Sequence, residues 1–219
     1  MNLASADTDS LAKSRAHCRH ALELTLELGA PFYAAHAGFA ASVSVEHLGK
    51  PFDGSSVVPR DAAYSIFRDS VVELLAYAKK LGVAFYIENN VVAPFNAPNG
   101  RNDMLLLCDP DELIGFFDDI DDPSFGYLMD VGHLNVSART LGFDRAAAMD
   151  ALIPYIRAFH LSDNNGLADS NEPFGQDAWF LPWLRLCPDA STVIEAYSLS
   201  LDQMNECVDV VRKVKQVVP

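Results

Sequence analysis

The sequence has 219 residues, of which half are hydrophobic, so it is long enough to bury a full core, and we expect one domain over residues 1–219. Asp and Glu number 30 against 16 Lys and Arg, which leaves a formal net charge of −14 at pH 7. This charge repels polyanions and argues against nucleic acid as a partner.

The cysteines and the N-terminal residues predict a cytoplasmic protein. The four cysteines show neither a CxxC pair nor the dense spacing of a secreted disulfide framework, so we interpret them as reduced core thiols. The first ten residues lack the basic and apolar segments of a signal peptide. Because no apolar run approaches the roughly 20 residues of a bilayer span, no membrane association is expected.

The first half of the chain is predicted to alternate helices and strands. Residues 11–28 place apolar side chains at helical spacing, and the short apolar run 32–35 that follows ends at His36. An apolar stripe with a period near 3.6 predicts a helix over 59–82. Directly behind it, the apolar segment 83–89 predicts a buried strand.

The second half repeats this pattern. Asp109 and Pro110 are typical of a helix start, and an Asp-Asp-Pro turn ends that helix. A short helix is predicted around 179–184, and the last helix begins near Leu201. Buried strands are predicted at 125–130, 156–162 and 192–197.

Buried strands separated by single amphipathic helices indicate a parallel α/β architecture. An open sheet that binds nucleotides normally has a Gly-rich loop after a strand, and no such loop occurs here. Instead, nearly every strand ends on a side chain that can bind a metal. Because barrel enzymes place their active sites at the carboxyl ends of the strands, we predict an α/β fold of the (β/α) TIM barrel type.

The residues at the strand ends predict a metal site. Burying several carboxylates costs several kcal/mol unless they are paired or coordinated, so the set requires a cation. Its mostly oxygen ligands favour one divalent ion, Mn²⁺, Mg²⁺ or Co²⁺, although Zn²⁺ is compatible. The candidate residues are His36, Glu88, Asp130, His133, His160 and Glu195.

Four strings at these strand ends resemble a known family. They are IENN at 87–90, MDVGH at 129–133, HLSDN at 160–164 and VIEAY at 193–197. Their order and joint occurrence resemble the sugar phosphate isomerase/epimerase group, the xylose isomerase-like TIM barrels that also include endonuclease IV. The resemblance extends from His36 to the last helix.

The resemblance implies roles for individual residues. Glu88, Asp130, His160 and Glu195 would bind the metal, as the corresponding residues do in that family. In its ketose 3-epimerases the two glutamates also remove and return a proton, so Glu88 and Glu195 would be catalytic. Substrate contacts are expected from His36, His133, Asn90 and Asp163. Asp163 is also a candidate to orient His160, or simply to begin a polar turn.

The expected activity is that of a metal-dependent isomerase or epimerase of a small sugar, polyol or keto-acid. A cation that stabilises enediolate oxygens makes a proton next to a carbonyl removable, and two carboxylates allow its return on the other face. One alternative is a catalytically silent barrel that binds metal or a partner. A nuclease is the third hypothesis, but Asn171 occupies the place where its Asp-x-His pattern requires histidine.

Counting back from the last helix suggests a shortened barrel of about six of the family's eight βα units. Residues 2–5 resemble the end of the family's second strand. An open barrel exposes two strand edges and an apolar lumen. We therefore expect self-association to cover them, most simply as a homodimer.

Overall fold

The computed structural model describes residues 1–41, 57–97 and 100–216. Its strands are β1 (Phe32–His36), β2 (Ala84–Glu88), β3 (Phe125–Asp130), β4 (Ile156–Leu161) and β5 (Ser191–Ile194). Its helices are α1 (Thr8–Glu27), α2 (Arg60–Leu81), α3 (Pro110–Ile120), α4 (Val131–Leu141), α5 (Arg145–Leu152), α6 (Leu181–Leu186) and α7 (Leu201–Gln216).

The strands form one parallel sheet in the order β1-β2-β3-β4-β5, and at least one helix lies between each strand and the next. The sheet curls into a half-barrel, and among the described residues β1 and β5 each pair on one side only. This confirms the predicted barrel class, with five described strands where the sequence suggested about six units. The register places His36 beside Glu88 and Asp130 beside His160, so the carboxyl ends of the strands meet at one edge.

The boundaries of the helices follow local sequence signals. The side chain of Asp109 accepts a hydrogen bond from the backbone N–H of Glu112, and Pro110 fills the first turn of α3, where no donor is needed. α2 ends at Gly82, whose φ of 71° is a left-handed conformation that glycine adopts without strain. These signals explain why α3 begins and α2 ends where the sequence predicted.

Aromatic side chains fill the layer between the sheet and helices α2 and α3. Phe116 of α3 is fully buried and stacks on Phe67 of α2 with ring centroids 5.1 Å apart. Phe117 stacks on Phe125 of β3 at 4.9 Å. This packing fixes the helices against β2 and β3, and thereby fixes the strand ends that contribute to the site.

Three local predictions need correction. β5 ends at Ile194, whereas a strand over 192–197 was predicted, and residues 2–5, which include a turn at Leu3 and Ala4, pair with no strand in the described part of the chain. Helices α4 and α5 were not predicted. α4 lacked a signal because Val131 to Ala138 are all buried, polar and apolar residues alike, so the segment shows no amphipathic period.

The four cysteines are buried and form no disulfide, as predicted. Among the residues described, no helix combines the length and the apolar character that a bilayer crossing requires.

Candidate metal centre

Four of the predicted residues converge at the carboxyl edge of the sheet. Glu88 and Asp130 are the last residues of β2 and β3, and His160 is next to last in β4. Glu195 directly follows β5, where its backbone N–H donates to the carbonyl of Leu161 at 3.0 Å. One potential ligand atom from each of the four side chains lies within 4.8 Å of the other three.

His160 lies at the centre of this four-residue cluster. Its Nδ1 is 3.2 Å from Oε1 of Glu88 and 3.8 Å from Oδ2 of Asp130. The same nitrogen is 2.5 Å from Oε2 of Glu195. Three acidic side chains, at the ends of β2 and β3 and just after β5, are therefore directed at one imidazole nitrogen.

Asp130 has two separate functions in the local structure. Its Oδ1 accepts a hydrogen bond of 2.8 Å from the backbone N–H of His133 and so caps the N-terminus of α4. Its Oδ2 faces the cluster. The Asp-x-x-His spacing thus places a capped helix immediately after β3 and brings the ring of His133 back toward the same edge.

The donor set fits a divalent cation. Glu88 and Asp130 are buried, and three carboxylates with one imidazole are a ligand set that Mn²⁺, Mg²⁺, Co²⁺ or Zn²⁺ accepts. Oε2 of Glu195 is also buried, and no donor among the described residues meets it with hydrogen-bond geometry. A carboxylate oxygen in this position is suited to coordination.

The protonation equilibria show how strongly the cluster requires positive charge. Burial raises the pKa of Asp130 to about 7, and the neighbouring charge of Glu88 acts in the same direction. Burial disfavours the charged form of His160, but contacts with Glu195 and Glu88 outweigh it and raise its pKa to about 10. The close imidazole of His160 lowers the pKa of Glu195. Without a cation, protons on these groups supply the compensating charge.

A second group lies beside the cluster and shares Glu88 with it. His36 Nδ1 is 3.7 Å from Oε2 of Glu88, and His133 Nδ1 is 3.8 Å from Oε1. The other ring nitrogen of His133, Nε2, is 3.2 Å from Oδ2 of Asp169. Burial opposes protonation of His133, but Asp130 and Asp169 outweigh it and raise the pKa to about 10. Both predicted substrate histidines therefore face the site.

The other two predicted substrate residues are placed differently. Nδ2 of Asn90 donates to the carbonyls of Ala37, Gly38 and Leu106, so this amide joins three loop segments. It also lines a cavity of about 520 Å³ together with His36 and His133.

Asp163 begins a polar turn, one of the two roles that the sequence indicated for it besides a substrate contact; the other was to orient His160. Its Oδ1 accepts from the backbone N–H of Asn164 at 2.8 Å, and its backbone pairs with Glu172. Among the described residues no hydrogen bond joins its side chain to His160. A contact of Asp163 with substrate stays a prediction.

The family model for xylose isomerase-like TIM barrels matches residues 1–189. The chain belongs to the xylose isomerase-like TIM barrel family. No curated protein matches the sequence at a significant level.

Solved structures support the family fold. A D-tagatose 3-epimerase-like protein superposes with a TM-score of 0.75 at 18% identity, over 100% of this chain and 74% of its own. D-psicose 3-epimerase from Clostridium cellulolyticum H10 gives 0.66 at 12% identity, over 99% and 74%. A xylose isomerase-like TIM barrel protein from Mycobacterium smegmatis, solved with magnesium, gives 0.64 at 17% identity, over 98% and 70%. At these identities the likeness shows the fold.

Asn89 and Asp169, to which the sequence assigned no role in the site, hold Asp130 and His133 in place. Nδ2 of Asn89 donates to the carbonyl of Asp130 at 3.1 Å, and Oδ1 of Asn89 accepts from the N–H of Asp130 at 2.9 Å. The carbonyl of Asn89 lies 2.8 Å from Nδ1 of His133. Asp169, from the loop after β4, meets the other nitrogen of this histidine. Asn89 lies within IENN and Asp169 begins the Asp-x-Asn segment that was compared with the nuclease pattern, but the sequence indicated a role beside His133 for neither residue.

We expect Asn89→Ala to weaken Mn²⁺ binding about 10-fold to 100-fold, because groups that orient metal ligands contribute on this scale. Asn102→Ala is a matched control for metal binding, since Asn102 makes the same pair of hydrogen bonds with the backbone of Leu105 and neither residue belongs to the four-residue cluster. Competitive titration against a metal-binding dye measures both. Equal affinities for the two variants would contradict a positioning role for Asn89.

We expect Mn²⁺ affinity to depend steeply on pH. Both His160 and Asp130 must release protons before they bind a metal, and their pKa values in the cation-free protein are about 10 and about 7. Affinity should therefore rise about 100-fold per pH unit below about pH 7 and about tenfold per unit from there to about pH 9. Dye competition at several pH values measures the slope, and a pH-independent affinity would contradict the assignment.

Proposed function

We propose that the protein is a metal-dependent isomerase or epimerase that acts on a small sugar, polyol or keto-acid by proton transfer next to a carbonyl. The observation that carries this proposal is the placement of Glu88 and Glu195 on either side of His160, with oxygens 3.2 and 2.5 Å from its Nδ1. β3 and β4 lie between the strands that supply these glutamates, so the two carboxylates approach the cluster from different sides.

The metal would be held by Glu88, Asp130, His160 and Glu195, the four-residue cluster described above. A divalent cation there would supply positive charge that stabilises the negative oxygens formed when a proton next to a carbonyl is removed. One glutamate would accept the proton from one face of the substrate carbon, and the other would return a proton to the opposite face. These two proton transfers invert the configuration at that carbon.

The neighbouring cavity supports a small polar substrate. Its volume is about 520 Å³, and His36, Asn90 and His133 line it beside Glu88. The imidazole of His36, whose side chain is 63% exposed, is suited to hydrogen-bond a hydroxyl group of a sugar, while the apolar part of the wall excludes water from the reacting carbon.

Solvent exchange tests the proposal directly. In D₂O with Mn²⁺, a panel of ketoses should include one substrate that incorporates deuterium next to its carbonyl and converts to its epimer, as measured by NMR. Treatment with a chelator should stop both processes, and Mn²⁺ should restore them. Metal bound at one ion per chain without exchange in any ketose, polyol or keto-acid would reject the enzyme proposal and favour the alternative described next.

A silent metal-binding protein is the second candidate, and the open sheet is the observation that favours it. Val193, in the edge strand β5, is 43% exposed, which is unusual for an apolar strand residue in a closed barrel. In that case the same four residues would bind metal, but the incomplete wall would not orient a substrate. Metal binding without turnover of any substrate would identify such a protein.

The open edges also lead to a prediction about assembly. Exposed apolar side chains lie in and beside β5, namely Val193, Tyr197, Leu201 and Met204. Exposed strand edges and apolar surface promote association, so we expect a homodimer. Sedimentation velocity over about 1–50 µM should show a dimer mass that persists on dilution to low micromolar concentration. A monomer across this range would contradict the prediction.

A further inference from the structure

A second polar cavity lies outside the metal cluster, between α4, the start of α5 and the loop that follows β4. Its volume is about 350 Å³. Two arginines, Arg139 and Arg145, and three asparagines, Asn135, Asn164 and Asn165, are among the residues that line it. The cavity is thus rich in hydrogen-bond donors and positive charge, and the proposed reaction does not use it.

Both arginines are held by uncharged groups. Nη1 of Arg139 donates to the carbonyl of Asn165 at 2.9 Å, and Nη1 of Arg145 donates to Oδ1 of Asn135. The guanidinium of Arg145 also lies over the ring of Trp179, 4.4 Å from its centroid. These contacts orient the guanidinium groups but leave their charges in place.

Other arginines of this chain are neutralised by carboxylates. Arg15 pairs with Glu73 and Arg60 with Glu112, each at 2.7 Å. In the described part of the chain, no acidic side chain forms such a pair with either arginine of the cavity. Two uncompensated positive charges at one cavity, in a protein whose net charge is −14, indicate a site for an anion.

A series of hydrogen bonds connects the cavity with the start of α4, next to the metal cluster. Asn135 and Asn164 are buried, and Nδ2 of Asn135 donates to Oδ1 of Asn164 at 2.8 Å. Nδ2 of Asn164 in turn donates to the carbonyl of Gly132, in the first turn of α4, which Asp130 caps. Hydrogen bonds therefore link the wall of the arginine cavity to the start of α4, which directly follows the proposed metal ligand Asp130.

We propose that this cavity binds a phosphate group, either of a phosphorylated sugar or as free phosphate. Two guanidinium groups match the charge of a phosphate dianion, and each can present paired N–H donors to its oxygens. The volume accommodates a phosphate with part of an attached sugar. The identification of the substrate as a phosphorylated sugar rests on the proposed function, whereas the phosphate site itself does not.

Calorimetric titration of the purified full chain with inorganic phosphate tests the site. The wild type should bind phosphate, and Arg139→Gln and Arg145→Lys should each weaken binding about tenfold or more, because a hydrogen bond to a charged group contributes on this scale. Arg139 is exposed, so its replacement is compatible with folding. Arg185→Gln, an exposed arginine on α6, is the control and should leave affinity within about twofold. Equal phosphate affinity in all four proteins, or no binding at about 10 mM phosphate, would overturn the proposal.

Fructose 6-phosphate and fructose, titrated with Mg²⁺ present, separate the two sources of phosphate. If the phosphate belongs to the substrate, the sugar phosphate should bind more tightly than inorganic phosphate, and Glu88→Gln should remove that gain while leaving phosphate binding intact. If the site takes free phosphate, fructose 6-phosphate and inorganic phosphate should bind with similar affinity, and the binding of each should still depend on Arg139. Arg139-dependent phosphate binding without deuterium exchange in any ketose, polyol or keto-acid would reject the proposed reaction and support the site.

Discussion

Glu195→Gln is expected to lower the rate of epimerisation by about 10²–10⁴-fold, the usual contribution of a general acid or base. The substitution keeps the shape of the side chain but removes the charge that faces His160 and replaces one of the two carboxylate oxygens by an amide NH₂. It should also weaken metal binding, since a neutral amide oxygen is a poorer ligand than a carboxylate. Steady-state kinetics of the substrate found by the exchange screen measures the effect.

Saturating Mn²⁺ separates the two roles of Glu195. Excess metal restores occupancy, so the loss of kcat that persists reports proton transfer alone. With two bases on opposite faces, Glu195→Gln should still exchange the proton of one epimer with solvent but fail to exchange that of the other, and Glu88→Gln should show the reverse. Loss or retention of exchange for both epimers in each variant would contradict the assignment of one glutamate to each face.

Glu206→Gln is the matched control. Glu206 lies exposed on α7, away from the strand ends. The same change of charge there should leave kcat and metal affinity within about twofold, because isolated surface charges contribute little. An equal decline in this variant would show that net charge, rather than the site, determines activity.

Phe116→Ala is expected to lower the free energy of unfolding by about 3–5 kcal/mol. Phe116 is fully buried, and its ring contacts Phe67, Tyr64 and Phe125 at centroid distances of 5.1, 5.8 and 6.1 Å. Truncation removes this burial and leaves a cavity that rigid helices and strands fill only in part. Urea denaturation followed by circular dichroism measures the change.

Phe95→Ala provides the comparison within the same residue type. Phe95 is 49% exposed in the short turn Pro94–Asn96, so its removal should change stability by about 0.5 kcal/mol or less. A loss below about 1 kcal/mol for Phe116→Ala would show that the aromatic layer repacks, contrary to the dense packing expected of a core.

The regular elements were predictable because their signals are local. The apolar stripe of α2 and the cap and proline at the start of α3 specify a helix wherever the segment lies, and the apolar runs before Glu88 and Asp130 specify buried strands. α4 was missed because it lacks such a local signal. Its first turns are buried on every side, so its helical state depends on tertiary burial and on the cap from Asp130.

The site was predictable only as a set of strand ends. Parallel strands bring their carboxyl ends to one edge, so Glu88, Asp130, His160 and Glu195 were expected to meet, and their ligand atoms do lie within 4.8 Å of one another. The sequence could not say which nitrogen of His160 faces the acids, because ring orientation is set by packing.

The amino-acid sequence by itself determined the α/β alternation, the barrel family and the ligand types at the strand ends, because periodicity, capping and strand termination act over a few residues. Only the tertiary structure decided which distant groups meet. Asp169 reaches His133 across an irregular loop, and Arg139 and Arg145 converge on one cavity without a carboxylate partner among the described residues. Such contacts depend on loop paths and side-chain orientations that the whole fold sets, so no local pattern encodes them.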